Sequence, residues 1–384
     1  MAPRRVGVIF GGRSGEHEVS LASAASVIAA LEQSGHTVVP IGIARDGRWV
    51  VGGDPLRALA DEARVALPSG DATGSVKKAL ADRAEARARV GDTALARNEP
   101  AGSVPTELRH GLEVVVIMLH GPYGEDGTIQ GMLELADLPY VGAGVAASAV
   151  GMDKALMKSL FQSAGLPIVE HTVVLRSEWR ARPQAVARRI AETVGFPCFV
   201  KPCNLGSSVG ISKVPSAAAL PAAVDEAARH DRKIIVERAV RARELEVSVL
   251  GNDAPIASVP GEIRYDGDWY DYATKYTEGQ AAVVVPAPVS PAITARLREL
   301  ALEAFRAIDA AGMARVDFFL EKNTNRIYLN ELNSIPGFTK ISMYPKLWEA
   351  SGLPYNKLVD RLIELAMERK ADRDHTSHIY RSHA

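Results

Sequence analysis

The chain has 384 residues, enough for roughly two or three domains, each with a sizeable core. Its 45 Lys and Arg nearly balance 46 Asp and Glu, for a formal net charge of -1, which excludes the broad basic surface that nucleic acid or an acidic membrane requires. There are two cysteines, Cys198 and Cys203. No second pair exists to complete a zinc site, so both are expected as core thiols of a cytosolic protein.

The opening run MAPRRVGVIFGG has too few apolar residues in a row for a signal peptide or a membrane span. It reads as a strand over 6–10 that ends at Gly11-Gly12. A helical pattern follows, closed by Gly35, and then a strand over 36–44. This strand–helix–strand start predicts an α/β layer with a parallel sheet. Residues 53–110 are rich in Ala, Arg and Gly and read as helix plus surface loop, with no chemistry assigned. LEVVVIMLHG (112–121) is a buried-type strand ending at His120-Gly121. A helix beginning near Thr128 and a short strand over 138–142 come next.

From Val145 one continuous helix is predicted through MDKALMKSLFQSAG to Gly165. IVEHTVVL reads as a strand, PQAVARRIAETVG as a helix and FPCFVKP (196–202) as a strand. NLGSSVG (204–210) is a Gly/Ser-rich turn into another β-rich run. KIIVERAV (233–240) is a strand, followed by the charged segment RARELEVSVLG and an irregular, Tyr-rich stretch over 265–288. A strongly periodic helix spans 293–312 with a glycine stop. A hairpin follows, then a closing helix, PYNKLVDRLIELAMERK. The tail 371–384 is expected to be frayed, with no metal role for its histidines. No internal repeat is present.

The hairpin, ARVDFFLEKNTNRIYLNELNSIPG, carries the first chemistry. A loop centred on Thr324 pairs Glu321 with Ile327, Phe319 with Leu329, Asp317 with Glu331 and Arg315 with Asn333. All eight then share one face. Opposed like charges destabilise a sheet unless something neutralises them, and a hard divalent cation does so through carboxylate and amide oxygens. Asn333 adds one such oxygen. The alternative is a solvated polar face with the carboxylates splayed apart, and a one-residue slip of register would also separate them.

No GxxxxGK[ST] phosphate loop occurs. GAGVAA (142–147) matches a loose dinucleotide pattern but lacks the acidic residue about twenty positions on that would hold a ribose, so it reads as a close helix–strand turn. NLGSSVG is the better phosphate loop, its backbone N–H groups suited to wrapping oxyanions. Lys201 ends an apolar strand just upstream, and Lys154 interrupts an apolar helix start. Two lysines, a glycine flap and a carboxylate pair are the parts that hold a nucleoside triphosphate with its metal ions. Arg315 can neutralise a developing oxyanion.

With these motifs placed, the chain resembles the D-alanine–D-alanine ligases of the ATP-grasp superfamily over 4–52 and 112–366. The resemblance is carried by GGRSGEHEVSLASA, LHGPYGEDGTIQGMLELADLPYVG, MDK, VKPCNLGSSVG, YDYATKY, RVDFF and NELNSIPGFT, in that order. It implies an α/β, three-domain ATP-grasp architecture: a Rossmann-like N-terminal parallel-sheet domain over 1–142 that binds the first D-alanine, a central subdomain with the phosphate flap over 143–236, and a C-terminal subdomain over 237–370. The tail would be disordered.

The resemblance further implies that Lys154, Lys201, Ser207 and Ser208 contact the phosphates of ATP. Glu237 would read adenine and Glu244 the ribose, with Ala239 standing where several relatives carry a bulky residue. Asp317, Glu331 and Asn333 would hold two magnesium or manganese ions, and a monovalent cation is an accompanying expectation. Glu16 would take the ammonium of the first D-alanine, with His120 nearby. Arg315 and the Gly337 backbone would hold the tetrahedral oxyanion, and Ser342 and Met343 the second carboxylate. Glu16, Ser207 and Tyr276 would form one hydrogen-bonded group, with Lys275 reaching the phosphates. The implied protein is a cytoplasmic homodimer that makes D-alanyl-D-alanine for peptidoglycan precursors and has small-molecule partners only. Ligation of D-alanine to D-lactate or D-serine, another ATP-grasp carboxylate–amine ligation, and a silent nucleotide-binding module are the alternatives. Tyr276 favours D-alanine as the second substrate.

Overall fold

The computed structural model describes residues 2–66, 97–100, 105–108, 111–206, 209–265 and 281–377. Strand β1 (Arg5–Gly11) leads into helix α1 (His17–Gln33), and β2 (Thr37–Ile43), β3 (Trp49–Val51), helix α2 (Pro55–Ala66), β4 (Arg97–Glu99) and β5 (Val114–Met118) follow. These strands form one sheet in the order β4-β3-β2-β1-β5. β1 runs parallel to both β2 and β5, whereas β2–β3 and β3–β4 are antiparallel. The N-terminal sheet is therefore parallel at its centre and mixed overall. Val6, Val8, Ile9 and Phe10 are fully buried. A strand covered on both faces needs such an unbroken apolar run.

Helix α3 (Thr128–Leu135) then leads to α4 (Val145–Met152) and α5 (Lys154–Ser163). The second sheet follows: β6 (His171–Leu175), helices α6 (Arg176–Ala181) and α7 (Pro183–Thr193), β7 (Cys198–Pro202), β8 (Ser212–Val214), helix α8 (Leu220–His230) and β9 (Lys233–Arg238). It is antiparallel, in the order β6-β9-β7-β8. Cys198 and Cys203 are free and buried, as expected of core thiols.

The third sheet comprises β10 (Ala242–Gly251), β11 (Ile256–Ala257), β12 (Gly261–Tyr265), β13 (Ala281–Val284), β14 (Gly312–Glu321) and β15 (Ile327–Asn333), with helix α9 (Pro291–Ala307) between β13 and β14. Its order is β13-β12-β10-β14-β15, with β11 paired to β10. Helices α10 (Met343–Ala350) and α11 (Tyr355–Asp374) end the described chain. α11 returns to the beginning of the molecule: Leu358, Leu362 and Ile363 share one core with Val6, Leu21 and Ile28. Arg369 reinforces this, with its guanidinium 4.3 Å from the Tyr140 ring centroid.

Several expectations are corrected. The helix predicted from Val145 to Gly165 is two helices, broken at Asp153, whose ψ is 99°. Asp153 caps α5 by accepting from the Ala155 and Leu156 amides, each at 3.1 Å. A short acidic side chain competes with helix continuation in this way. The strand expected over 138–142 is a single bridge between Val115 and Tyr140. The charged segment after β9 is a central strand, β10, because Leu245, Val247 and Val249 alternate into the core. The irregular stretch over 265–288 contains β13. The helix predicted to stop at Gly312 ends at Ala307. Gly312 instead opens β14 at φ +72°, where an added Cβ would lie 3.0 Å from the Gly142 backbone. α10 was not anticipated, and α11 continues past 370 with Lys370 paired to Asp374.

Candidate active site

The hairpin register places the acidic residues. Arg315 pairs with Asn333 and Asp317 with Glu331, as read from the sequence. The turn end differs by one residue: Phe319 faces Tyr328 and Leu320 faces Ile327, and the Glu321 amide bonds to the Arg326 carbonyl. A β-bulge absorbs the difference, leaving Asn330 without a partner position in the ladder. An inserted residue re-aims the strand in this way, returning Glu331 to the Asp317 face. On the other side of β14, Glu246 of β10 stands opposite Asp317. Glu246, Asp317 and Glu331 thus lie in a row across three adjacent strands.

Arg315 neutralises most of this row. Its Nε and Nη2 each donate to Asp317 at 2.7 Å, and Nε lies 2.9 Å from Glu246. Burial opposes the charge on Arg315, but the Asp317 and Glu246 carboxylates hold its pKa well above the ordinary value. These contacts use Nε and Nη2, so Nη1 is the guanidinium nitrogen outside them. Asn333 Nδ2 donates to Asp317 at 2.9 Å. Two opposed carboxylates and an adjacent amide are hard oxygen donors that suit a divalent cation. Among the described residues no three His, Cys, Asp or Glu side chains cluster for a metal. The oxygen donors the hairpin offers are therefore Asp317, Glu331 and the Asn333 amide, fewer than a divalent cation's full set.

A second electrostatic centre lies beside the row. Lys154, at the first position of α5, has its Nζ 3.6 Å from Glu331 and donates to the Leu205 carbonyl at 3.0 Å. It therefore ties the hairpin to the Gly/Ser flap. Glu237 on β9 is 2 % exposed and lies between two lysines, Lys201 at 2.6 Å and Lys158 at 3.0 Å. Burial opposes ionisation of Glu237, yet the two ammonium groups hold its pKa far below the usual carboxylate range. Burial pushes Lys158 down. In Lys201 burial acts the same way, but the Glu237 charge prevails and raises it. Each Glu237 oxygen thus faces one ammonium group. Glu244 accepts from the Tyr265 hydroxyl at 2.7 Å.

The N-terminal sheet supplies the opposite wall. Glu16 precedes α1, and its Oε2 lies where Cβ atoms at Gly121 or Gly206 would come within 3.0 and 2.8 Å. Glycine at 121, with φ +74°, and at 206 lets the His120-Gly121 turn and the flap approach this carboxylate without displacing it. His120 is 4 % exposed; its Nδ1 bonds the Ile335 carbonyl at 2.9 Å and its Nε2 the Ser23 hydroxyl at 3.1 Å. Both ring nitrogens are therefore engaged by protein. Gly337 follows on the same loop, where an added Cβ would lie 3.3 Å from Ser342 Oγ. Ser342 is the N-cap of α10 and accepts from the Thr339 amide at 3.1 Å. Met343 packs against Gly261, where an added Cβ would meet its sulfur at 2.6 Å.

Glu16, His120, Lys154, Lys201, Glu237, Glu244, Arg315, Asp317, Glu331, Asn333, Gly337, Ser342 and Met343 all lie among the described residues. Ser207, Ser208, Lys275 and Tyr276 lie outside them. Sequence reasoning missed Glu246, Lys158, Ser23 and Glu125. Glu246 was findable from the two-residue alternation of Glu244, Glu246 and Ser248 in β10. Lys158 was signalled by its place one helical turn after Lys154. Nothing local pointed to Ser23 or Glu125.

Two antiparallel sheets, a lysine-anchored glycine flap between them and an acidic hairpin on one face define an ATP-grasp protein. The solved D-alanine–D-alanine ligase from Coxiella burnetii superposes with a TM-score of 0.77 at 34% identity, covering 97% of each chain. The VanG D-Ala:D-Ser ligase from Enterococcus faecalis gives 0.75 at 30% identity, covering 95% of this chain and 99% of that one. Residues 5–143 match the family model "D-ala D-ala ligase N-terminus", and 160–364 match "D-ala D-ala ligase C-terminus". The chain is 47% identical to the D-alanine–D-alanine ligase of Heliobacterium modesticaldum over 96% of both proteins. It belongs to the D-alanine–D-alanine ligase family, whose members use ATP and a divalent metal.

Proposed function

We propose that this protein is an ATP-dependent ligase that joins two D-alanines into D-alanyl-D-alanine, with release of ADP and phosphate, for peptidoglycan precursor synthesis. One observation carries the reading: Lys154 reaches both Glu331 of the acidic hairpin and the Leu205 carbonyl of the flap. A polyphosphate held under the flap lies against the acidic row at that point. Lys154, Lys201, Ser207, Ser208 and Lys275 bind its oxygens, and Glu244 takes the ribose. Asp317, Glu331 and Asn333 would hold two magnesium ions, which supply charge neutralisation to the transferring phosphoryl group.

Glu16 holds the ammonium of the first D-alanine. The carboxylate oxygen of that substrate attacks the γ-phosphorus, the bond to ADP breaks, and a D-alanyl phosphate forms. The second D-alanine is oriented by its carboxylate at Ser342 and the Met343 amide, where the α10 N-terminus favours negative charge. Its deprotonated amine attacks the acyl carbon, and phosphate leaves. Arg315 and the Gly337 N–H stabilise the tetrahedral oxyanion between those events. Glu16, Ser207 and Tyr276 join the N-terminal domain to the flap and the Tyr-rich loop, excluding water from the acyl phosphate.

The division into domains at 1–142, 143–236 and 237–370, a homodimer in the cytoplasm and use of a monovalent cation belong to the same reading. Among the described residues no helix is long and apolar enough to cross a membrane. The test is ADP release and dipeptide formation with D-alanine as the sole amino acid. Stoichiometric dipeptide supports the reading. Turnover that requires added D-serine or D-lactate replaces it with the depsipeptide or D-Ser alternative, and no turnover with any D-amino acid rejects it.

A further inference from the structure

The loop that carries Gly337 belongs in sequence to the third sheet, yet other parts of the molecule hold it. In the loop over 335–338, the peptide groups of the two buried end residues need partners: Ile335 N–H and C=O, and Phe338 N–H and C=O. The Ile335 amide donates to Glu125 at 3.0 Å, and the Ile335 carbonyl accepts from His120 Nδ1 at 2.9 Å. The Phe338 amide donates to the Ser23 hydroxyl at 3.2 Å. The Phe338 carbonyl accepts from Tyr355 of α11 at 2.6 Å. Three of the four bonds come from side chains of the N-terminal unit.

The side chains also bond to one another in a single consistent direction. A carbonyl only accepts, so Nδ1 of His120 carries the proton toward Ile335. Nε2 of the neutral ring then accepts from Ser23, 3.1 Å away, while Ser23 oxygen accepts from Phe338. Burial pushes the His120 pKa down, which favours this neutral form. Glu125 uses its second oxygen to accept from the Gly121 amide at 2.9 Å, tying the loop to the turn that packs on Glu16.

Pro336 has no amide hydrogen. With the Ile335 and Phe338 amides bound, the Gly337 N–H is the remaining donor of the loop, and among the described residues it has no acceptor. The brace therefore fixes both flanking amides and leaves the donor between them without an acceptor among the described residues. The geometry points to Ser23, His120 and Glu125 as positioning residues that hold the Gly337 N–H in place for the acyl-transfer step. They act through the loop and touch no substrate. This rests on the oxyanion role given to Gly337 above.

Such a role makes a particular failure. If the loop shifts, the first half-reaction still delivers D-alanyl phosphate and ADP, but amine attack slows. Water then attacks the waiting acyl phosphate and returns D-alanine and phosphate. A misplacement near 1 Å costs roughly 10²-fold in an oriented step. In full-length Ser23→Ala and Glu125→Gln, ADP and dipeptide are measured in the same reaction with ATP and D-alanine. Dipeptide formation should fall at least about tenfold, and the ADP-to-dipeptide ratio should rise at least about twofold above wild type. Ser258→Ala removes a buried hydroxyl that bonds the Ser248 amide in the third sheet and serves as the stability control. It should leave the ratio unchanged at a similar loss of Tm. A ratio equal to wild type in both brace variants, whether or not the rate falls, overturns the proposal. A wild-type protein that forms no dipeptide overturns the proposed function instead.

Discussion

Asp317 stands opposite Glu331 on neighbouring antiparallel strands, with Arg315 donating to both Asp317 oxygens at 2.7 Å. The pair is kept in register by a bulge at Asn330, and its charge is compensated from Arg315 on one side and Lys154 on the other. Asp317→Asn removes one of the two hairpin carboxylates and leaves Arg315 on Glu246. Turnover should fall by roughly 10–100-fold or more, with the midpoint of a magnesium titration moved upward. Unchanged activity and magnesium dependence would remove Asp317 from the metal site, and circular dichroism checks that the fold persists.

Lys158 and Glu237 form the most deeply buried ion pair at the site, and Lys158 Nζ also donates to the bulge carbonyl of Asn330 at 3.0 Å. Lys158→Met leaves Glu237 with Lys201 alone. Removing one partner of a buried pair costs about 3–5 kcal/mol. Lys201, now the only counter-ion, is held back from phosphate, so KM for ATP should rise while KM for D-alanine stays constant. In a Glu237→Gln background the same change should cost much less, because the charge it compensates is gone. Urea unfolding of the four proteins closes the cycle, and additive losses would break the link.

Gly206 of the flap approaches Glu16 closely enough that a methyl group would stand 2.8 Å from Oε2. The carboxylate end of Glu16 can move aside, so Gly206→Ala should leave stability within about 0.5 kcal/mol. It should displace the group proposed to bind the first ammonium, raising KM for D-alanine at that site. An unaltered D-alanine dependence would separate the flap from first-substrate binding.

Glu125 links pH to stability. Burial first, then the neighbouring Glu16 charge, pushes its carboxyl from 4.5 up to about 8, against the two amides that donate to it. The native state therefore binds this proton more tightly than the unfolded chain does. The resulting stability is full below 4.5 and is lost as pH rises through about 8. Glu125→Gln deletes the titration. The stability of wild type relative to the variant should decline between about pH 6 and about pH 9. Urea midpoints at both pH values check this, and a constant difference would rule the titration out.

The hairpin shows how far local pattern reaches. The alternation read from Arg315, Asp317, Glu331 and Asn333 named the facing carboxylates, but the turn lies one residue off that reading, and only the bulge at Asn330 brings Glu331 back opposite Asp317. Local pattern does not place that bulge, where the Asn330 carbonyl accepts from Lys158 and the Leu332 amide donates to the Met157 sulfur. The same holds elsewhere. The apolar run of β1, the Gly35 stop after α1, and the lysines at the ends of β7 and at the start of α5 are written in short stretches and could be read there. The break at Asp153 and the central place of β10 also left local traces, in a capping side chain and a two-residue alternation.

Other relationships join segments hundreds of positions apart and leave no mark in either one. Glu237 sits between Lys158 and Lys201 only because α5, β7 and β9 converge. Ser23, His120 and Glu125 meet Ile335 and Phe338 only because α11 folds back and seats the end of the third sheet against the first. The sequence alone determined the hairpin carboxylates, Arg315 and the two lysines beside the flap as candidate groups, since residue type and spacing carry the chemistry, but not Glu246, Lys158, Ser23 or Glu125. Tertiary structure decided which of them neutralise one another and which donor is left free, because both depend on burial and on distances across strands and domains.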